Sequence, residues 1–504
     1  MPTARETACR ALAVACAGLT LLPAAATAGK RQETIVRDDA ALAGFDDGLR
    51  QRALGDLSDL GVDTVHHIVG WRAIAPDSES RHRPSFDATD PAAYPAAEWD
   101  RIDALVRGAD ARGIDVILAP AGPAPLWATG CDGDIDTEQP HVCKPSVAEF
   151  QRFVIALGRR YSGTYDDENG GVLPRVDRWS VWNEPNQGGW LQPQWERKRG
   201  MWSPTAGYRY RRLAEAAIRG LRKTGHGDDQ IMIGETAPLG RATGARYKRS
   251  TAPLVFWRSV LCLDANGNRL RGKAALNLGC RHPRNIDADA IAHHPYTRGA
   301  ARDPRTRRVA RDEVTLAFHR RLRKVFDRGA ALNRNQYRID FYITEYGFQT
   351  DPPDKRVGVR PSLAAKWLNE SNWMAYNNSR IKGFGNYEVY DERDVGAFQT
   401  GLRFRSGKAK PSYDAFRMPI WVVKHSSYTR VWGQVRPARQ GDAVAIEYQV
   451  GRGGEWKHLE TVAIDNSGRY IDVRGDKRAR KWRLVWHERG GAPRTSRAAF
   501  PERR

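Results

Sequence analysis

Short apolar runs alternate along most of the chain with longer stretches whose apolar positions return every three or four residues. The runs predict strands at Glu33–Arg37, Gly61–Trp71, Ile114–Ala119, Val176–Glu184, Ile231–Ala237, Ile286–Tyr296, Ile339–Thr344 and Ile381–Tyr387. The stretches between them predict helices: Gly44–Leu60 with Leu49, Leu54, Leu57 and Leu60 on one face, Trp99–Arg112 with Ile102, Leu105 and Val106 inward, Ser146–Tyr161, a helix capped by Ser203 and running to about Lys223, Leu254–Leu263, Glu313–Leu332 and Leu363–Tyr376. Steady strand-then-helix alternation of this length predicts an α/β fold, a parallel (β/α)8 barrel, with an open doubly wound sheet as the competitor. No Gly-x-Gly-x-x-Gly or P-loop follows a strand, which lowers the competitor.

Beyond Pro419 the period changes. Ile420–Lys424, Thr429–Val435, Ala443–Val450, His458–Ala463, Tyr470–Val473 and Lys481–His487 read as short strands separated by Gly/Asp/Asn turns. They predict a small C-terminal antiparallel β-sandwich over 420–504, after a barrel over 29–419. Trp432, Trp456, Trp482 and Trp486 are expected to serve core packing there, whether the sandwich binds glycan or only covers the barrel's underside.

At the other end, Arg5 and Arg10 precede an apolar run from Ala11 to Ala26 that closes on Ala26-Thr27-Ala28. That is the layout of a secretory signal peptide over 1–28, so the chain is expected to be secreted, extracellular or periplasmic, with no transmembrane segment. The cysteines agree. Outside the leader stand Cys131, Cys143, Cys262 and Cys280, which allow three pairings; the local one, Cys131–Cys143 with Cys262–Cys280, closes two short loops. Asp132 to Glu138 alternates acids inside the first loop and is read as a solvated acidic loop, since the turn glycine of an EF-hand is missing. The formal charge is +22. The basic residues fall in short separate clusters, which favours an excess spread over solvated faces; an acidic polymer partner is the alternative. No nucleic-acid module is present in the usual spacings.

The chemistry sits where two strands stop. Trp179-Ser180-Val181-Trp182 ends in Asn183-Glu184, then Pro185, which forbids further ladder pairing; Phe341-Tyr342-Ile343 ends in Thr344-Glu345, with Gly347 close behind. Packing explains a carboxylate at the end of a buried strand poorly, whereas the strand ends of a barrel build the active-site face. Two such carboxylates, roughly 5–5.5 Å apart, are what retaining cleavage of a glycosidic bond requires.

At Trp182-Asn183-Glu184-Pro185 and Thr344-Glu345-Tyr346-Gly347 the chain resembles the retaining glycoside hydrolases of clan A, nearest to families 39 and 5. The resemblance implies Glu184 as acid/base, Glu345 as nucleophile and Asn183 as the partner of the sugar 2-hydroxyl. His294-Pro295-Tyr296 resembles the clan's His-x-Tyr, which implies that Tyr296 bonds the nucleophile and His294 contacts sugar hydroxyls. His293 should point the other way, since side chains alternate along a strand. Trp71, Trp127 and Trp190, just past strand ends, are candidate sugar platforms, and Glu235 ends the fifth strand. Two departures stand out. Tyr387 is nearest to where the clan presents a tryptophan floor, and His66 and His67 occupy the second strand, where the clan often has an arginine.

The expected activity is that of a secreted retaining glycoside hydrolase on oligo- or polysaccharides, with an acidic glycan among the candidate substrates and with no redox or metal cofactor. The alternatives are a carbohydrate-binding protein with a degenerate barrel and a transglycosylase using the same two glutamates.

Overall fold

The computed structural model describes residues 32–503, apart from 132–138, 168–169, 245, 440, 465–469 and 488–490. The leader, the acidic run 132–138 and the turn at 465–468 lie outside the described residues.

Eight parallel strands close a barrel in which chain neighbours are also spatial neighbours: β1 Glu33–Arg37, β2 Thr64–Gly70, β3 Asp115–Ala121, β4 Arg178–Val181, β5 Gln230–Thr236, β6 Ala290–His293, β7 Asp340–Ile343 and β8 Ile381–Tyr387. A helix follows each strand: α1 Asp47–Asp59, α2 Ala96–Asp110, α3 Val147–Arg160, α4 Thr205–Arg222, α5 Pro253–Val260, α6 His319–Ala331, α7 Pro361–Tyr376 and α8 Pro411–Arg417. α3 shows the logic. The Ser146 hydroxyl accepts from the Glu149 amide at its start, and Phe150, Phe153, Val154 and Leu157 bury one stripe against the strands.

Two helix starts differ from expectation. Ser203 does not cap α4; it ends a small hairpin of Glu196–Lys198 with Met201–Ser203, and its hydroxyl takes the Asn277 amide at 2.9 Å. The residues from Glu313 to Phe318 are loop and a single 3-10 turn, so α6 begins only at His319. The Glu313 carboxylate accepts the Ala310 amide at 3.1 Å, holding that loop instead of opening a helix.

Inward-facing side chains fill the barrel in layers. At its floor, the Arg178 guanidinium donates to Glu33 at 2.7 Å, Thr64 at 2.8 Å and Gln230 at 3.2 Å, and the Gln230 amide donates to the Tyr342 hydroxyl at 3.0 Å. Ile35, Ile117, Met232, Ala290 and Tyr342 form the apolar layer above it. β8 is glycine-rich on this side because the wall is close: a Cβ on Gly385 would come within 2.6 Å of the Thr344 carbonyl oxygen. The top layer is polar and forms the candidate site.

Beyond Pro419, the strands β9 Ile420–Lys424, β10 Thr429–Gln434, β11 Ala443–Val450, β12 Lys457–Ala463, β13 Tyr470–Gly475, β14 Ala479–His487, β15 Arg494–Thr495 and β16 Glu502–Arg503 make two sheets, ordered β13-β10-β9-β16 and β12-β11-β14-β15. Between them Val431, Ile446, Trp482, Leu484 and Trp486 form a core. The first sheet also docks on α7: Trp421 and Trp432 pack with Trp373 and Tyr376, and Arg436 donates to Asn372 at 3.2 Å. Cys131–Cys143 and Cys262–Cys280 are disulfide-bonded. No helix among the described residues is long and apolar enough to cross a membrane.

Candidate active site

At the end of β4 the backbone turns sharply: Trp182 has φ +74° and Glu184 φ +37°, conformations that side chains resist. Neighbouring strands hold the turn. The Trp182 amide donates to the Pro120 carbonyl and the Glu184 amide to that of Glu235, both at 2.9 Å. Beyond Pro185, the buried Asn186 side chain bonds Ala237 and Thr251, so the loop is fixed from below. This projects the Glu184 carboxyl into the barrel mouth with its side chain 23% exposed, whereas that of Glu345 is 8% exposed.

The two carboxyl groups meet around one imidazole. His294 Nδ1 lies 3.2 Å from a Glu184 oxygen and 3.5 Å from a Glu345 oxygen, and its Nε2 lies 2.7 Å from Glu235. A Glu184 oxygen, a Glu345 oxygen and a His294 nitrogen all fall within 4.8 Å of one another. Glu345 also accepts the Tyr296 hydroxyl at 3.3 Å and forms an ion pair with Arg37. Arg37 in turn donates to Asn183 Oδ1 at 3.3 Å and to Asp39 at 2.6 and 2.8 Å, and its guanidinium lies 5.3 Å from the centre of the Tyr387 ring.

A buried acid supports the set from beneath. Glu235 is fully buried and accepts from Ser180 and Thr344, with His66 and His294 on its two oxygens. Burial alone would raise its pKa, but His66 and His294 outweigh that and hold it well below the usual carboxylate range. Burial also opposes charge on His294; its hydrogen bonds to Glu184 and Glu235 overcome this and raise its pKa, whereas His66 is lowered, chiefly by burial. Burial likewise opposes ionisation of Asp39, and Arg37 and His67 outweigh it, keeping Asp39 anionic. The site is thus an alternating lattice of charges: Asp39, Arg37, Glu345, His294 and Glu235. Glu184, His294 and Glu345 each bring one ligand-type atom to the same spot, and both nitrogens of His294 already face carboxylates.

His294 and Tyr296 therefore converge on the two glutamates, Asn183 is tied to Glu345 only through Arg37, and the Tyr387 ring stands beside Arg37 with Phe398 against its edge. His293 points outward, bonded to Thr236 and to the Val314 carbonyl. Trp71 must be corrected: it is fully buried and stacked on Phe153 at 5.8 Å, so it is core and not a sugar platform. The strand exit curls at once into the helical turn Trp71–Ile74, which tucks the ring inward. Trp127 is half-buried among Trp71, Phe86 and Arg83, with its indole N–H on the Pro76 carbonyl. Trp190 is half-buried, and its carbonyl accepts the Trp182 indole N–H. An arginine does stand against Glu345, but it is Arg37 at the end of β1, which sequence reading passed over.

Glu388, next to Tyr387, is buried, and its Oε2 has no hydrogen-bond partner among the described residues. Burial first, then the charges of Asp38 and Glu392, push its pKa up to about 11. The folded chain therefore holds a proton that the unfolded chain releases above its ordinary value of 4.5, so stability falls as pH rises from there. At pH 7 the cost is about 3 kcal/mol. Glu388→Gln keeps the shape without the titration. Its melting temperature is expected to exceed that of the parent, by a margin that widens between about pH 5 and pH 9; parallel melting curves across that range would show Glu388 to be ionised in the fold.

No family model matches the chain, and no curated protein matches it. Among solved structures it is similar to GH5_18 from Streptomyces cattleya in complex with GlcNAc, at 16% identity and TM-score 0.47, covering 77% of this chain and 79% of that one. It is also similar to the hyperthermophilic β-glucosidase from Pyrococcus furiosus, at 15% identity and TM-score 0.45, covering 77% and 94%. With a calcium-binding mutant of Bacteroides uniformis β-glucuronidase 2 the identity is 10% and the TM-score 0.43, covering 94% of this chain; the chain spans 45% of that protein's length.

Proposed function

We propose that the chain is an exported retaining glycoside hydrolase acting on β-linked oligo- or polysaccharides, as its two motifs' resemblance to clan A implies. The observation that carries this reading is the approach of Glu184 and Glu345 to within 4.8 Å through their oxygens. So close an approach supports a nucleophile with its acid/base partner, whose carboxyl groups stand roughly 5–5.5 Å apart, over an inverting pair at roughly 6.5–9.5 Å.

In the first step a Glu345 oxygen attacks the anomeric carbon while the glycosidic oxygen leaves with the Glu184 proton, giving a glycosyl ester and an ionised Glu184. In the second, Glu184 takes a proton from water, the hydroxide attacks the same carbon, and Glu345 departs as carboxylate. Arg37 and Tyr296 bring positive charge and a donor to the residue that attacks as an anion. Glu184 is the more exposed of the two, as proton exchange with water requires. Asn183, whose oxygen is taken up by Arg37, offers its amide N–H groups to the sugar 2-hydroxyl. Two disulfides fit an oxidising compartment outside the cytoplasm.

A panel of polysaccharides and aryl glycosides, with the product anomer followed by NMR during the first minutes, tests the proposal. The retained anomer is expected to appear first. An inverted first product would refute the double displacement, and tight binding without any turnover would favour a carbohydrate-binding role. Sugar transfer to an added acceptor in preference to water would make the same site a transglycosylase.

A further inference from the structure

Between the start of α6, the end of α7 and the edge of the sandwich lies a cleft of about 720 Å³. Arg305, Arg307, Arg320, Arg323 and Arg503 line it, against a single carboxylate, Glu502. Glu502 is already paired with Lys366 at 2.6 Å, and Arg305 with Glu370. Arg323 reaches Asp327 only at 3.7 Å, and its buried Nε has no hydrogen-bond partner among the described residues. Arg307, Arg320 and Arg503 are exposed and make no ion pair among the described residues. The positive charge of this cleft is therefore largely uncompensated.

Two further observations point into the same space. α6 starts there with no side-chain cap and no acidic residue in its first turn, so the positive end of its dipole meets no compensating side chain. His319, in that first turn, is 2% exposed and lines the cleft, and its Nε2 has no partner among the described residues. Burial, then the nearby His293, Arg380 and Arg323, keep it neutral, with a pKa of about 3. With the Asn378 amide, 3.3 Å away, donating to Nδ1, the proton sits on Nε2 and leaves a donor in need of an acceptor.

We propose that this cleft, outside the barrel mouth, binds an acidic polysaccharide through its carboxylate or sulfate groups. Guanidinium forks match such oxyanions in pairs of hydrogen bonds. The aromatic rings argue against nucleic acid. Trp373 is 6% exposed, stacked on Tyr376 and covered by Arg430 at 4.6 Å, and Arg321 lies 3.9 Å over Phe318, so neither offers the open stacking face that bases use. The choice of a sugar polymer as carrier rests on the glycosidase reading; the anion site itself does not.

The test uses the full chain carrying Glu345→Gln, so that nothing is consumed, titrated calorimetrically with polygalacturonate, with heparin and with neutral dextran. Binding to one or both acidic polymers, and none to dextran, is expected. Loss confined to one polymer distinguishes carboxylate from sulfate recognition. Adding Arg307→Glu with Arg320→Glu is expected to weaken that binding about tenfold or more and to flatten its salt dependence. The control pair Lys477→Glu with Arg480→Glu, exposed on the sandwich, is expected to change it by less than about twofold. Equal losses in the two double variants, no binding to either acidic polymer, or equally effective competition by duplex DNA would overturn the proposal. Failure of the glycosidase reading would register separately, as absent turnover in the unmodified chain.

Discussion

Glu345→Ala is expected to lower kcat on an activated aryl glycoside by roughly four orders of magnitude, and azide is expected to restore part of the loss. The vacated space lies beneath Tyr296 and Arg37, which can hold a small anion there in place of the carboxylate. Azide would attack the anomeric carbon once, releasing a glycosyl azide of inverted configuration. Glu184→Ala should behave differently on the same substrate. A good leaving group needs no proton, so the glycosyl ester still forms, and azide then attacks that ester to give the retained anomer. NMR of the two azides reads the roles directly: swapped configurations would exchange the assignments of Glu184 and Glu345, and the same anomer from both variants would abolish them.

Glu235→Gln is expected to destabilise the fold by about 3–5 kcal/mol, because it removes one charge from a buried, hydrogen-bonded set and leaves the other behind. Glu235 is wholly buried among His66, His294, Ser180 and Thr344. The sign of the pH dependence follows from His294, whose pKa in the fold is raised. Its contribution is complete below its ordinary value near 6.5 and fades as pH climbs through the raised one. Denaturant titrations of the parent chain should therefore show stability declining on the alkaline side of neutrality, and those of the variant a shallower decline. Identical slopes in both would mean that His294 is not held as the cation between the three glutamates.

How far the site could be read beforehand depended on whether a residue announced itself locally. Glu184 and Glu345 did, because each interrupts a buried apolar strand with a charge that packing would reject. His294 and Tyr296 were named through the resemblance of His294-Pro295-Tyr296 to the clan's His-x-Tyr, and strand alternation only set His293 apart from His294. Arg37 did not: in Arg37-Asp38-Asp39 it reads as an ordinary solvated strand exit. Only the closed parallel register, with Arg37 opposite Tyr387 on one side and His66 on the other, carries it to the middle of the mouth. Glu235 was noticed but underrated, since nothing local says that Ser180, Thr344, His66 and His294 will surround it. Trp71 misled because a tryptophan past a strand end looks the same in sequence whether the next turn curls outward or inward. The sandwich shows the limit of periodicity: several of its six longer strands alternate visibly, whereas Arg494–Thr495 and Glu502–Arg503 are too short to show any period.

The polar clasp of Arg178 with Glu33, Thr64, Gln230 and Tyr342 shuts the far end of the barrel. With the axis plugged there, a molecule that reaches Glu184 and Glu345 can arrive and depart through the mouth alone.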